Sequence, residues 1–143
     1  MDSANDDDVR LVVSVAGLLA CVAYSDRQYT PSERQKVRSE LERIHGLSNE
    51  GIEGICKILD ERIFDLTATS SQIYLRDLSE LADYETKIDV LDVLMSLAAA
   101  DESVSVVETN LLRRAATALG LSSDDYNTIQ RRYRDKLAVL QKG

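Results

Sequence analysis

A segment in the first half of the sequence returns in the second half with nearly the same spacing. Asp26 is followed seven residues later by Glu33, and 75 positions further along the chain Asp101 is followed by Glu108 at the same interval. A Gly-Leu-Ser tripeptide follows each copy, at an offset of 74. Two copies are too few for a solenoid, which usually needs at least three. The repeat therefore predicts a duplicated globular domain.

Apolar residues recur at helical spacing along the whole sequence, and no segment alternates as a strand would. One proline and six glycines in 143 residues leave few breaks in this pattern. The first and fifth predicted helices are apolar around most of their circumference, as expected of helices enclosed by others. We predict seven helices, at about 8–24, 31–45, 49–64, 70–82, 85–100, 106–119 and 123–141.

The predicted fold class is all-α, a compact seven-helix domain built from two similar helical halves related by a pseudo-two-fold axis. The domain spans residues 1–143, with halves at about 9–65 and 85–141 and a connector at about 66–84. A chain of this length buries roughly 68% of the surface that its unfolded form exposes, so a real core is expected.

Capping signals agree with these helix boundaries. Thr30 and Ser105 each stand three residues before a Glu, which is the form of a capping box, and Pro31 suits the first position of a helix. We also predict two serine caps and two glycine exits in the left-handed conformation. They are Ser48, Ser122, Gly46 and Gly120.

The doubled pattern of Ala-x-x-Asp, a Glu at the next helix start and an amphipathic helix ending in Gly-Leu-Ser resembles the TerB-like family. The resemblance runs from about Val12 to Tyr133. It implies a compact helical domain tied to tellurite resistance and chemical stress, with relatives beside the J domain of membrane-anchored co-chaperones. It therefore implies protein partners, including membrane-associated ones. His-Pro-Asp, the tripeptide that J domains use, is absent.

The resemblance also implies that clustered acidic residues bind a divalent metal ion. Ca²⁺ and Mg²⁺ prefer oxygen ligands and are favoured over Zn²⁺, because the sequence offers zinc only two separate cysteines and one histidine. Arg27 would neutralise part of a site in the first half, whereas Glu102 would add to one in the second. The acidic positions carried over are Asp26, Glu33, Asp101 and Glu108.

The same carboxylates also have a structural explanation. Capping boxes account fully for Glu33 and Glu108, and Asp26 and Asp101 can bond turn amides. We therefore favour structural use over metal binding at these positions.

Three further polar residues have more than one explanation each. Asp89 and Asp92 lie three apart on the apolar fifth helix and either mark its solvent edge, which we favour, or meet Arg or Lys from a neighbouring helix. Their functional alternative is to act as extra acidic ligands of a metal site in the second half. His45 stands one residue before Gly46, where it can satisfy terminal carbonyls, and we favour that role over catalysis or metal ligation.

No catalytic or cofactor-binding motif is present, so we predict that the chain is not an enzyme. With 17 basic and 25 acidic residues, the net charge of −8 disfavours nucleic acid. The longest apolar run, at 11–24, is shorter than the ~20 residues that a membrane span needs, and the acidic start is no secretory leader. We therefore expect a cytoplasmic, non-catalytic, stress-associated interaction module whose acidic turns either bind a divalent ion or hold the two halves in register; the alternative is a metal-independent scaffold or a co-chaperone-type protein interaction domain.

Overall fold

A computed structural model of the chain describes residues 6–23, 31–44, 46–68, 71–100 and 106–133, with the backbone alone at 6, 22–23, 32–33, 64, 98–100 and 106–111. These residues form seven helices and no strand, which confirms the all-α fold class. The helices are α1 (Asp6–Ala23), α2 (Pro31–Leu41), α3 (Asn49–Ala68), α4 (Ser71–Leu81), α5 (Tyr84–Ala100), α6 (Val106–Ala118) and α7 (Ser123–Arg131).

α1 and α5 form the centre of the domain, as their all-round apolar sequences predict. Residues 14–20 of α1 and residues 90–95 of α5 are buried without interruption. α1 contacts α3, α4, α5 and α6, and α5 also contacts α2, α6 and α7. Because neighbours surround both helices, most residues in these buried stretches are apolar.

The two Gly-Leu-Ser connections have the same local structure. Gly46 and Gly120 have φ angles of 83° and 78°, which L side chains rarely adopt. Ser48 Oγ accepts the backbone N–H of Gly51 at 3.1 Å, and Ser122 Oγ accepts that of Asp125 at 3.0 Å. The predicted glycine exits and serine caps are therefore confirmed. The pseudo-two-fold relation between the halves stays a prediction.

Three helix ends differ from the predicted positions. α7, predicted to reach 141, ends at Arg131 and is followed by a turn at 132–133, and residues 134–141 lie outside the described residues. α3 continues to Ala68 instead of ending at 64, with a non-helical Arg62 (φ −137°, ψ 26°) inside it. The extension is held in place because Leu66 is buried and its backbone oxygen accepts the Tyr74 hydroxyl at 2.8 Å. α2 ends at Leu41, four residues early, and the chain turns there towards Gly46.

Candidate functional site

Contacts near both ends of α1 set its direction relative to α3. Near the start of α1, a Cβ added to Gly54 would lie 3.4 Å from Val12 Cγ1. Near its end, the Cys21 thiol lies 3.9 Å from the backbone oxygen of Leu66. Since the residue numbers rise together in these two pairs, α1 and α3 run side by side in the same direction.

α2 runs in the opposite direction to α3. Arg34 Nε donates to Asp60 Oδ1 at 2.8 Å, and Arg38 pairs with Glu53, which lies earlier on α3. The residue numbers rise on one helix as they fall on the other. α2 therefore begins at the end of the domain where α1 and α3 end.

α4 is also antiparallel to α1. Arg10 Nη2 donates to Asp77 Oδ1 at 2.8 Å. One to two turns later on α1, the ring of Tyr74 covers Gly17 so closely that an added Cβ would lie 2.4 Å from a ring carbon. α4 therefore begins at the end of the domain where α1 ends.

α6 lies beside α4 and runs in the same direction as α4. Ser71, at the start of α4, lines a cavity with Arg113, whereas Ser79, two turns later, lines a second cavity with Ala118. Since α4 begins where α1 ends, α6 begins at that end as well.

α5 has the same direction as α1. A Cβ on Gly46 would lie 3.3 Å from Thr86 Oγ1 in the first turn of α5, and the Tyr84 hydroxyl donates to Asp125 in the first turn of α7 at 2.6 Å. α5 therefore begins at the end of the domain where α3 and α7 begin. It ends near the start of α6, from which only residues 101–105 separate it.

Four helix termini consequently lie at one end of the domain, which we call the acidic end after the sequence beside it. They are the last residues of α1 and α5, Ala23 and Ala100, and the first residues of α2 and α6, Pro31 and Val106. In the sequence, each of the four predicted carboxylates stands within three positions of one of these termini.

The four carboxylates themselves are at the limit of what the structure describes. Asp26 and Asp101 lie outside the described residues. Glu33 and Glu108 are the third residues of α2 and α6, and their side chains are not described. Within the described part of the chain, no group of three or more His, Cys, Asp or Glu side chains could hold a metal ion.

Asp92 lies at a buried polar cluster instead of at a solvent edge, so the favoured prediction for this residue was wrong. It is 4% exposed and pairs with Arg43 Nη2, which lies 3.1 Å from Asp92 Oδ2. Arg132 donates to the same carboxylate oxygen, and the Tyr133 hydroxyl donates to the other. The alternative, a basic partner from a neighbouring helix, is the observed one.

Electrostatics in this cluster follow from its burial. Desolvation works against the charge on Arg43, but Tyr133 and the carboxylates of Asp92 and Glu40 outweigh it and raise the Arg43 pKa. Desolvation and the hydrogen bond to Asp92 raise the Tyr133 pKa. Arg43 therefore stays charged and Tyr133 stays neutral at pH 7, and the cluster joins α5 to the turn after α2 and to the end of α7.

The remaining polar candidates give no zinc site in the described residues. Cys56 is buried on α3 and Cys21 is half-buried on α1, and both are free thiols whose pKa desolvation raises. Asp89 is half-buried and has an interaction partner. His45 lies outside the described residues.

Two of the grooves on the described surface differ in the charge of their walls. One, of about 430 Å³, lies between α4 and α6 and is lined by Arg113 and Arg114 over Leu75. The other, of about 530 Å³, lies between the first turns of α1 and α3. The first has a basic wall, whereas the second has an apolar floor and an acidic rim at Asp8 and Glu50.

Five helices packed around an enclosed parallel pair define the class of this protein as a small all-helical domain. The family model described as "Tellurite resistance protein TerB" matches residues 13–131, which is most of the chain. The chain belongs to this family, as the repeated motif predicted. No curated protein and no solved structure gives a significant match. Among the described residues, no helix combines the length and the apolar character that crossing a bilayer requires.

Proposed function

We propose that this chain is a non-catalytic interaction module of the tellurite-resistance type that binds a hard divalent cation. Ca²⁺ or Mg²⁺ would bind at the acidic end, through carboxylates from both halves. The observation that carries the proposal is that the helix termini beside these carboxylates share one end of the domain. The proposed ligands are Asp26, Glu33, Asp101 and Glu108.

The chemistry of this end favours a cation. Carboxylate oxygens are the ligands that Ca²⁺ and Mg²⁺ prefer. The C-termini of α1 and α5 add partial negative charge from their unpaired carbonyls, while Glu33 and Glu108 offset the positive N-termini of α2 and α6. Glu102 adds a further carboxylate in the second half, whereas Arg27 opposes binding in the first.

Thermal unfolding with and without divalent ions tests this proposal. A ligand at a hundred times its dissociation constant stabilises the native state by ~2.7 kcal/mol. We expect Ca²⁺ or Mg²⁺ to raise the unfolding temperature of the wild-type chain accordingly and to leave that of Asp26→Asn/Asp101→Asn unchanged.

A matched control removes two carboxylates from the opposite end of the domain. Glu42 and Asp124 are exposed, and Glu42→Gln/Asp124→Asn changes the net charge by the same amount. The ion should raise the unfolding temperature of this variant as much as it raises that of wild type. An equal rise in unfolding temperature in all three proteins would refute the assignment of Asp26 and Asp101 as ligands.

A metal-independent scaffold, which includes a co-chaperone-type interaction domain, is the second candidate, and the cap of α7 favours it. Ser122 and Asp125 form a reciprocal capping box, in which Asp125 Oδ2 accepts the Ser122 N–H at 3.1 Å. Glu33 and Glu108 have the same spacing from Thr30 and Ser105, so a cap alone can account for them.

Glu33→Gln/Glu108→Gln separates the two candidates because Gln also completes a capping box but carries no charge. If the carboxylates only cap, the response to divalent ions should equal that of wild type. If they bind the ion, the response should be lost while the unfolding temperature without the ion changes little.

The partners we propose for either candidate are proteins, including membrane-associated ones, met in the cytoplasm. The net charge of −8 disfavours nucleic acid and direct insertion into an anionic bilayer. Family membership supports a domain of the tellurite-resistance type.

A further inference from the structure

The groove between the first turns of α1 and α3 has the character of a docking surface. Its volume is about 530 Å³, and apolar side chains from both helices line it, including Leu11 and Ile58. At its edge, Val9 is 51% exposed, which makes it one of three large hydrophobic side chains so exposed among the described residues. An apolar groove with an exposed hydrophobic edge is typical of a surface that another molecule covers.

Gly54 adds an independent reason to regard the groove as a binding feature. A glycine inside a helix costs roughly 0.5–1 kcal/mol relative to alanine. Packing does not require it here, because an added Cβ would meet only Val12 Cγ1, at an ordinary contact distance of 3.4 Å. The absence of a side chain at this position keeps the floor of the groove open.

Charge decides which kind of partner fits. Asp8 and Glu50 stand on the rim, and the whole chain carries −8. This field repels phosphate backbones, anionic lipid and acidic peptides, and it attracts Lys and Arg. An amphipathic helix that places its apolar face in a groove and its charges along the rim is a recurring mode of recognition.

We propose that the α1/α3 groove binds a basic amphipathic helix of a partner protein. The apolar face of that helix covers Val9 and fills the space above Gly54, and its Lys and Arg side chains meet Asp8 and Glu50. The groove lies at the end of the domain opposite the acidic end, so this binding does not depend on the divalent-ion proposal and is measured without divalent ions.

A synthetic 16-residue peptide with Leu on one helical face and Lys on the other is the probe. Fluorescence anisotropy with the full chain measures its affinity, and the same peptide with Glu in place of Lys is the negative control. Val9→Ser/Glu50→Lys should weaken binding of the Lys peptide roughly tenfold, since it removes an apolar anchor and reverses a rim charge.

The matched variant is Ile73→Ser/Asp124→Lys, which changes an exposed hydrophobic residue on α4 and a first-turn carboxylate on α7. It carries the same net charge as the groove variant and should bind like wild type. Amide chemical-shift mapping on the wild-type chain should place the peptide at residues 8–12 and 46–58.

Three results would overturn the proposal. One is equal weakening in both variants, which would mean that net charge alone drives binding. Another is a set of amide chemical-shift changes on peptide binding that centres on α4 and α6. The third is self-association of the chain through residues 8–12 and 46–58, because the occupant would then be a second copy of this chain and not a different protein.

Discussion

Replacing Asp92 with Asn removes a buried negative charge and leaves the size of the side chain almost unchanged. Asp92 is 4% exposed and interacts with Arg43, Arg132 and Tyr133. Breaking a fully buried ion pair costs about 3–5 kcal/mol. Here the side chains of Arg43 and Arg132 are 41% and 53% exposed, so water can solvate them after the change.

The expected cost is therefore lower than for a fully buried pair, at ~2–3 kcal/mol, in keeping with the contribution of hydrogen bonds between charged groups. For a domain of this size the unfolding temperature should fall by about 6–9 °C. Urea unfolding at pH 7 measures the free energy directly, and the m value should stay unchanged because the exposed surface does not differ.

The exposed pair of Arg34 and Asp60, at 2.8 Å, provides the matched control. Asp60→Asn makes the same chemical change where water screens the pair, and it should cost less than ~1 kcal/mol. If Asp92→Asn costs no more than Asp60→Asn, the buried cluster does not hold the three elements together, and Asp92 would behave as the solvent-edge residue that its sequence first suggested.

Three further changes test other parts of the structure. Gly17→Ala should destabilise the domain by ~1–3 kcal/mol, although alanine favours a helix more than glycine does, because the new Cβ would overlap the Tyr74 ring. Gly54→Ala should instead stabilise the domain by roughly 0.5–1 kcal/mol. Urea unfolding measures both changes, and the opposite ranking of the two variants would refute the packing around α1. Tyr84→Phe should raise the pKa of Asp125, because hydrogen bonds from Tyr84 and Ser122 hold it below its usual value. Carbon-13 NMR of the Asp125 carboxyl measures this pKa. These hydrogen bonds add stability to the folded protein at any pH above the pKa that Asp125 has in the unfolded chain. That stability should be lost as the pH falls through the lower pKa of Asp125 in the folded protein.

Local signals in the sequence were enough to predict most of the fold. Pro31 begins α2, and Ser48 and Ser122 cap the helices that follow them, because a cap depends on residues within four positions. Gly46 and Gly120 have positive φ angles for the same local reason. Burial of the central helices followed from apolar residues around most of the circumference of each.

The parts that differ depend on contacts between distant residues. The end of α3 follows the burial of Leu66 and its bond to Tyr74, which belongs to the next helix. The Asp92 cluster joins Asp92 to residues 49, 40 and 41 positions away, and no periodic pattern links Asp92 to Arg43, Arg132 or Tyr133. A charged residue inside an apolar helix was the signal, and it was compatible with either a solvent edge or a buried partner.

The location of a bound ion tests the central claim most directly. Mn²⁺ broadens the NMR signals of nearby nuclei, and titrating it into the labelled chain reports where a divalent cation binds. We predict that the first amides to broaden are those at the end of α1 and α5 and at the start of α2 and α6, while residues 46–51 and 122–126 at the opposite end stay sharp. Broadening that begins at the opposite end, or equally everywhere, would contradict a cation site between the two halves.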